Sequence, residues 1–277
     1  MRTLYVSDLD GTLLNRKDRI GTESLRIING LVEKGMLFTY ATARSFSSAS
    51  IVAQGLHVKL PVIVYNGGFI TEPDTGKPLY SLFFTGEEAG YVQARLQKCG
   101  ISPLVYACVD QKERVTWNGA RENDGIRHYR ESRAGDKRLR ILPDDAGLYE
   151  GDIFYFNCIG DREELLPVYE IFAKDDRFRC TLQQELYRPE YFCEIMPKKA
   201  SKAEAIGRLK EHLKCDRIVT FGDAINDIPM FEISDECYAV ENAAEKLKEI
   251  ATGVIGTNVQ DGVAKWLEKN WKEYKWL

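Results

Sequence analysis

What most constrains this chain is where its strand and helix signals alternate and where they stop alternating. In the first third, short β-rich runs lead into helical stretches: residues 4–7, then Leu25, Ile28, Leu31 and Val32 on one helical face that stops at Gly35, then residues 36–41, a helix capped after Ser45, and residues 61–65. Such alternation specifies a parallel sheet covered by helices. Asp74-Thr75-Gly76-Lys77 lies between two β-like runs and reads as a hairpin. From about Thr85 to Phe192 the alternation loosens into hairpin-like pieces among polar helices, for example residues 104–110 beside 113–117. It resumes with a helix over 201–213, a strand over 217–221, a helix after Ala224, a strand over 238–240 and a last helix around 262–270. The expected fold class is α/β, a Rossmann-like parallel-sheet core with helices on both faces. Residues 1–84 and 193–277 form it, and an α+β domain over 85–192 interrupts it.

Composition narrows the partners. Lys plus Arg number 38 against 42 Asp plus Glu, a net charge of −4, which gives no global reason to expect nucleic acid and leaves a small molecule as the expected partner. Seven cysteines occur without a C-x-x-C pair, so neither a disulfide scaffold nor a zinc site is framed. One basic residue followed by carboxylates opens the chain, and the most apolar run, residues 60–65, is far short of the roughly 20 residues a membrane span needs. A cytoplasmic protein without a membrane partner is expected. Oligomeric state is not legible. Arg127, Arg130, Arg133, Lys137, Arg138 and Arg140 form a basic stretch, interrupted by Glu131 and Asp136, that reads as a solvated face. Trp266, Trp271 and Trp276 read as docking of a terminal helix on the core.

Ligands of open parallel sheets bind outside the carboxyl ends of the strands. The residues standing there are Asp8 and Asp10, Thr42, Asn66, and Asp223 with Asn226 and Asp227. Two carboxylates one residue apart, followed by a turn at Gly11, suit a nucleophile and its proton partner in phosphoryl chemistry. Crowded carboxylates repel, and a divalent cation would relieve that. With Asp223 as a further oxygen ligand, an all-oxygen set favours Mg2+, whereas His57, His128 and His212 show no transition-metal spacing. A calcium loop fails because Gly11 follows Asp10 directly and Arg19 stands where its last ligand should be.

Taken together, Asp8-Leu9-Asp10-Gly11-Thr12-Leu13-Leu14, Thr42, Lys202 before a helix, and Gly222-Asp223-x-x-Asn226-Asp227 make the chain resemble haloacid dehalogenase-like phosphatases, most closely the Cof-type branch with a large C2-type cap. The resemblance covers essentially the whole chain. It implies Asp8 as nucleophile, Asp10 as general acid and base, and Mg2+ held by Asp8, the Asp10 carbonyl and Asp223. It further implies that phosphoryl oxygens meet the amides of Leu9 and Ala43, the Thr42 hydroxyl, the Lys202 ammonium and the Asn226 amide, with Asp227 orienting its neighbours or joining the metal. The implied activity is Mg-dependent hydrolysis of small phosphorylated metabolites, such as sugar phosphates or pyridoxal phosphate, through an aspartyl phosphate, with the cap closing over the substrate.

Three departures accompany the resemblance: Ala43 replaces the usual glycine of Thr-Gly-Arg, Lys198 and Lys199 compete with Lys202, and Val240-Glu241-Asn242-Ala243 replaces Met-Gly-Asn-Ala. A phosphomutase or phosphotransferase would use the same intermediate, and a phosphometabolite-binding regulator would keep the fold with little turnover. Trp117, Asn118, Arg121 and Tyr187 are candidates for substrate selection in the inserted domain.

Overall fold

The computed structural model describes residues 2–184 and 188–272, so Tyr187 and Trp276 lie outside the described residues. Two compact units emerge, Met1–Ser81 with Ala200–Leu277, and Leu82–Lys199. In chain order the first unit contributes β1 (Thr3–Ser7), α1 (Thr22–Glu33), β2 (Leu37–Tyr40), α2 (Phe46–Val52), β3 (Val62–Val64), β4 (Phe69–Thr71) and β5 (Pro78–Ser81). The second holds α3 (Gly86–Lys98), β6 (Leu104–Val109), β7 (Lys112–Asn118), α4 (Asp124–Glu131), β8 (Leu139–Leu142), β9 (Asp152–Gly160), α5 (Arg162–Phe172), β10 (Phe178–Gln184) and β11 (Tyr191–Pro197). The first unit then resumes with α6 (Lys202–Leu213), β12 (Arg217–Gly222), α7 (Ile228–Glu232), β13 (Glu236–Val240), α8 (Glu245–Ile250), β14 (Gly253–Ile255) and α9 (Gly262–Asn270).

The first unit's main sheet runs β14-β13-β12-β1-β2, all parallel. Its strands are rich in Val, Ile, Phe and Tyr because both faces are covered. Local chemistry sets the helix ends: Ser45 accepts the Ser48 N–H at the start of α2, and Ser201 accepts the Glu204 N–H at the start of α6. One expectation is corrected. The run over 61–65 does not extend the parallel sheet as a full strand, since β3 pairs antiparallel with β4 and meets the main sheet's side only through a parallel bridge from Ile63 to Ala41, one residue past β2. A tight turn at Tyr65–Gly67 sends the chain straight back, which leaves no room for a crossover. The 74–77 segment does close a hairpin, between β4 and β5. Trp266 packs on Tyr238 and Phe221, with ring centroids 4.3 and 5.2 Å away, so α9 is docked on the sheet.

The second unit is a six-stranded sheet in the order β10-β11-β9-β6-β7-β8, antiparallel except where β7 meets β8. Its core gathers Phe84, Val92, Leu96, Phe156, Phe172 and Phe178. Truncating a side chain as enclosed as Phe172 would cost about 3–5 kcal/mol. The boundary expected at 192/193 falls inside β11, whose ladders to β9 and β10 carry residues 193–197 into this unit. The register of a strand is cooperative along its length, so the change of unit waits until the strand has ended.

Charges in the basic stretch are mostly answered within this unit. Arg127 pairs with Asp124, Arg130 with Glu122, Arg138 with Asp136 and Glu113, and Arg140 with Glu150, while Arg133 lies over the Tyr129 ring. Two expected selectivity residues are corrected as well. Trp117 is fully buried with its indole N–H on Glu122, and Asn118 is buried with its amide on Asp145. Arg121 spends its guanidinium on the Gly100 carbonyl. Among the described residues the seven cysteines are free thiols, and no helix is long and apolar enough to cross a membrane.

Candidate active site

Parallel pairing of β1 with β12 places Ser7 beside Phe221, so the chain leaves the two strands together and delivers Asp8 and Asp223 to the same end of the sheet. The Asp8 N–H donates to the Phe221 carbonyl at 2.9 Å, extending the ladder one step, and the Ser7 hydroxyl donates to the Asp8 carbonyl at 2.7 Å. Past Asp8 the chain coils back: the Leu9 carbonyl accepts N–H groups from Leu13 and Leu14. Gly11 stands in the left-handed region with φ +75°, and a Cβ there would come within 2.1 Å of an Asp223 carboxylate oxygen. Only glycine permits that approach.

Lys202, at the first position of α6, is fully buried and reaches Asp8 Oδ1 at 2.5 Å and Asp227 Oδ1 at 2.7 Å. The structure thus sets Lys202 against Asp8. Lys198 instead pairs with Asp176, and Lys198 and Lys199 both belong to the second unit. Asp227 is also fully buried, and its other oxygen accepts the N–H groups of Asp223 and Ala224 at 3.0 and 3.1 Å. Both its oxygens are therefore engaged by protein donors, which makes it the strut that orients Lys202 and the Asp223 turn. Thr12 donates its hydroxyl to Asp223 Oδ1 at 3.0 Å. Asn226 sits half-buried in the single 3-10 turn Ile225–Asp227.

Electrostatics follow from this crowding. Asp8, Asp223 and Asp227 each offer an oxygen within 4.8 Å of the others, and one ammonium faces them. Burial pushes the Asp8 carboxyl well above the usual carboxylate range against the pull of Lys202, with Asp227 and Asp223 adding to the rise. Burial and then Asp227 push Asp223 up to about 6, although the Thr12 hydroxyl pulls the other way. For Lys202 burial opposes the charge, yet Asp227 and Asp8 together hold its ammonium above the ordinary lysine value. A surplus of buried hard-oxygen negative charge at a strand end is what a divalent cation of the Mg2+ type fits. Asp8 and Asp223 would supply its carboxylate oxygens.

Asp10 stands apart from the buried group, its side chain about half exposed and gripped by Arg44, whose Nε lies 2.8 Å and Nη2 2.6 Å from its two oxygens. Thr42 is buried at the end of β2, and its hydroxyl oxygen accepts the Arg44 N–H at 3.1 Å, while Ala43 is exposed. Sequence reasoning quoted Arg44 only as part of Thr-Ala-Arg and gave it no role; its position two residues past Thr42 was the available signal. Asn242 was also unassigned. Its amide donates to the Gly11 carbonyl at 2.8 Å and its oxygen accepts the Asn258 N–H, so it pins the turn after Asp10. Glu241 is exposed and is not among the residues with positive φ, so glutamate in place of glycine is accommodated there.

Comparison with known proteins sets this geometry in context. Residues 5–267 match the model of a family described as haloacid dehalogenase-like hydrolase. The chain is 26% identical to the 5-amino-6-(5-phospho-D-ribitylamino)uracil phosphatase YwtE of Bacillus subtilis, over 95% of this chain and 96% of that protein. It is 27% identical to the HMP-PP phosphatase of Serratia proteamaculans, over 97% and 95%. Among solved structures, TM0651 from Thermotoga maritima superposes with a TM-score of 0.77 at 28% identity, covering 98% of each chain.

Proposed function

The chain belongs to the haloacid dehalogenase-like hydrolases and is a phosphatase, and from that premise we propose that it hydrolyses small phosphorylated metabolites through an aspartyl phosphate formed on Asp8, with Mg2+ bound. The observation that carries this reading is the buried contact of Lys202 with Asp8 beside Asp223, at the carboxyl ends of β1 and β12.

In the proposed reaction an Asp8 oxygen attacks phosphorus in line with the leaving oxygen, Asp10 gives that oxygen its proton, and Asp10 then takes a proton from the water that hydrolyses the acyl phosphate. Bound Mg2+ would neutralise charge on the phosphoryl oxygens, and Asp8, the Asp10 carbonyl and Asp223 would hold it. Lys202 spends two of its three N–H donors on Asp8 and Asp227, which leaves one for a phosphoryl oxygen. Thr42 accepts from Arg44 and keeps its own proton to give. Amides of Leu9 and Ala43 and the side chain of Asn226 complete the proposed cradle. Asp227 acts through Lys202 and the Asp223 backbone. The inserted unit is proposed to select the leaving group. Its relatives' names point to phosphorylated heterocyclic and ribityl compounds as first substrates to try.

The test is phosphate release from a panel of phosphorylated metabolites and an aryl phosphate, with Mg2+ or with chelator, together with analysis of the organic product. Metal-dependent release of inorganic phosphate is expected. Appearance of phosphate on a second organic hydroxyl would replace hydrolysis by phosphoryl transfer, and binding without turnover would make the protein a regulator.

A further inference from the structure

Among the described residues three buried side-chain atoms lack a hydrogen-bond partner, Asn66 Oδ1, Asn157 Oδ1 and Thr257 Oγ1, and only Asn66 stands at the strand end that carries Thr42. Asn66 is 8% exposed. We propose that Asn66 contacts the substrate, its carboxamide donating a hydrogen bond to a phosphoryl oxygen bound between Thr42 and Lys202. The inference rests on the functional reading above and adds a residue to it.

Placement is the first argument. The turn that follows β3 is wedged between the two segments proposed to hold the phosphoryl group. On one side the Tyr65 N–H donates to the Arg44 carbonyl and the Asn66 N–H to the Thr42 carbonyl, each at 2.9 Å. On the other, a Cβ on Gly67 would lie 2.1 Å from the Ser201 carbonyl oxygen and 3.1 Å from the Lys202 backbone nitrogen. Residues 65–67 thus span from Thr42 and Arg44 to the start of α6.

Backbone conformation is the second. Tyr65, Asn66 and Gly67 are consecutively left-handed, with φ of 51°, 52° and 96°. L-residues enter that region at a cost, and an aromatic residue there persists only when the surroundings impose it. Here the imposed turn seals the carboxamide oxygen from bulk water without giving it a protein partner. Buried carboxamides are almost always paired, so an incompletely paired one beside the proposed phosphoryl segments marks a place for a ligand. The nitrogen at the other end of the carboxamide is not sealed in this way, and its N–H groups are the donors offered to an anion.

Asparagine tolerates the left-handed region, so backbone preference alone could account for residue 66, and the test separates the two roles. Asn66→Gly keeps the conformational freedom and removes the carboxamide. Inorganic phosphate affinity in Mg2+, kcat and KM for the best ester, Mg2+ affinity and the melting temperature are measured together. The expected result is a wild-type Mg2+ affinity and a melting temperature within a few degrees of wild type, with phosphate affinity and kcat/KM lowered about tenfold or more, the effect of one lost hydrogen bond to a charged group. Asn66→Asp, which matches the shape and brings negative charge, should weaken phosphate binding further. Wild-type phosphate affinity and kcat/KM in Asn66→Gly would overturn the inference while leaving the phosphatase reading intact. Should Asn66→Gly fail to fold, undiminished phosphate affinity in Asn66→Asp overturns it instead. A wild-type protein that neither binds inorganic phosphate nor releases it from any ester would overturn both.

Discussion

Lys202 and Asp227 form an ion pair of 2.7 Å with neither side chain exposed to solvent. Removing one member of a buried pair leaves the other charged and less compensated, which ordinarily costs about 3–5 kcal/mol. Because Asp8 still faces the ammonium, Asp227→Ala should lose about 3 kcal/mol, the low end of that range, together with most activity. Urea unfolding with chelator present checks the role. A loss that persists without metal marks Asp227 as a strut; a loss seen only with Mg2+ would make it a ligand.

Asp8→Asn separates chemistry from folding. With the proposed nucleophile gone, turnover should fall by about four orders of magnitude or more. An Asn side chain keeps the shape and can still accept from Lys202, so the variant should remain folded, as its melting temperature would show. Near-normal turnover in a folded variant would refute the nucleophile assignment.

The gathering of Asp8 and Asp223 was legible because strand ends expose whatever side chains follow them, and Asp8, Thr42 and Asp223 each follow a strand with strong β signal. Lys202 was legible only through motif order, since three nearby lysines are chemically alike and burial alone distinguishes them. The grip of Arg44 on Asp10 was not legible, because a contact between residues 34 apart depends on the pairing of β1 with β2 rather than on any local pattern. Trp117 failed as a selectivity candidate for the opposite reason. An aromatic residue on a strand has the same sequence signature whether it faces a ligand or a core.

Burial gives the proposed metal site a pH dependence. Asp223 is raised to about 6 in the folded, metal-free protein and sits near 3.8 as an unperturbed group, so the folded state binds its proton more tightly than the unfolded state does. The Asp223 contribution to stability is therefore greatest below about 3.8 and is lost as pH rises through about 6. A divalent cation competes with that same proton. Asp223 alone should strengthen Mg2+ affinity up to about tenfold per pH unit below 6, and the raised Asp8 carboxyl adds to the slope. Calorimetric titration of Mg2+ at several pH values reads this directly; an affinity independent of pH between 5 and 7 would remove Asp223 from the ligand set.

Arg44 holds Asp10 through a planar fork, and that geometry predicts an effect that depends on the leaving group. Arg44→Lys keeps the positive charge and loses the paired donors, so Asp10 should become free to rotate away from the ester oxygen. General acid catalysis matters most when the departing alkoxide is basic, as from a sugar or other alkyl ester, and least for an aryl phosphate whose phenolate leaves unaided. The variant should therefore lose about 10- to 100-fold in kcat on alkyl phosphates and only a few-fold on the aryl ester. Asp10→Asn should show the same ordering with larger losses, because it removes the proposed proton donor itself rather than the group that holds it. Equal losses on both ester classes would show that Arg44 acts on phosphate binding through the Thr42 loop, whose hydroxyl its own N–H already contacts, rather than through Asp10.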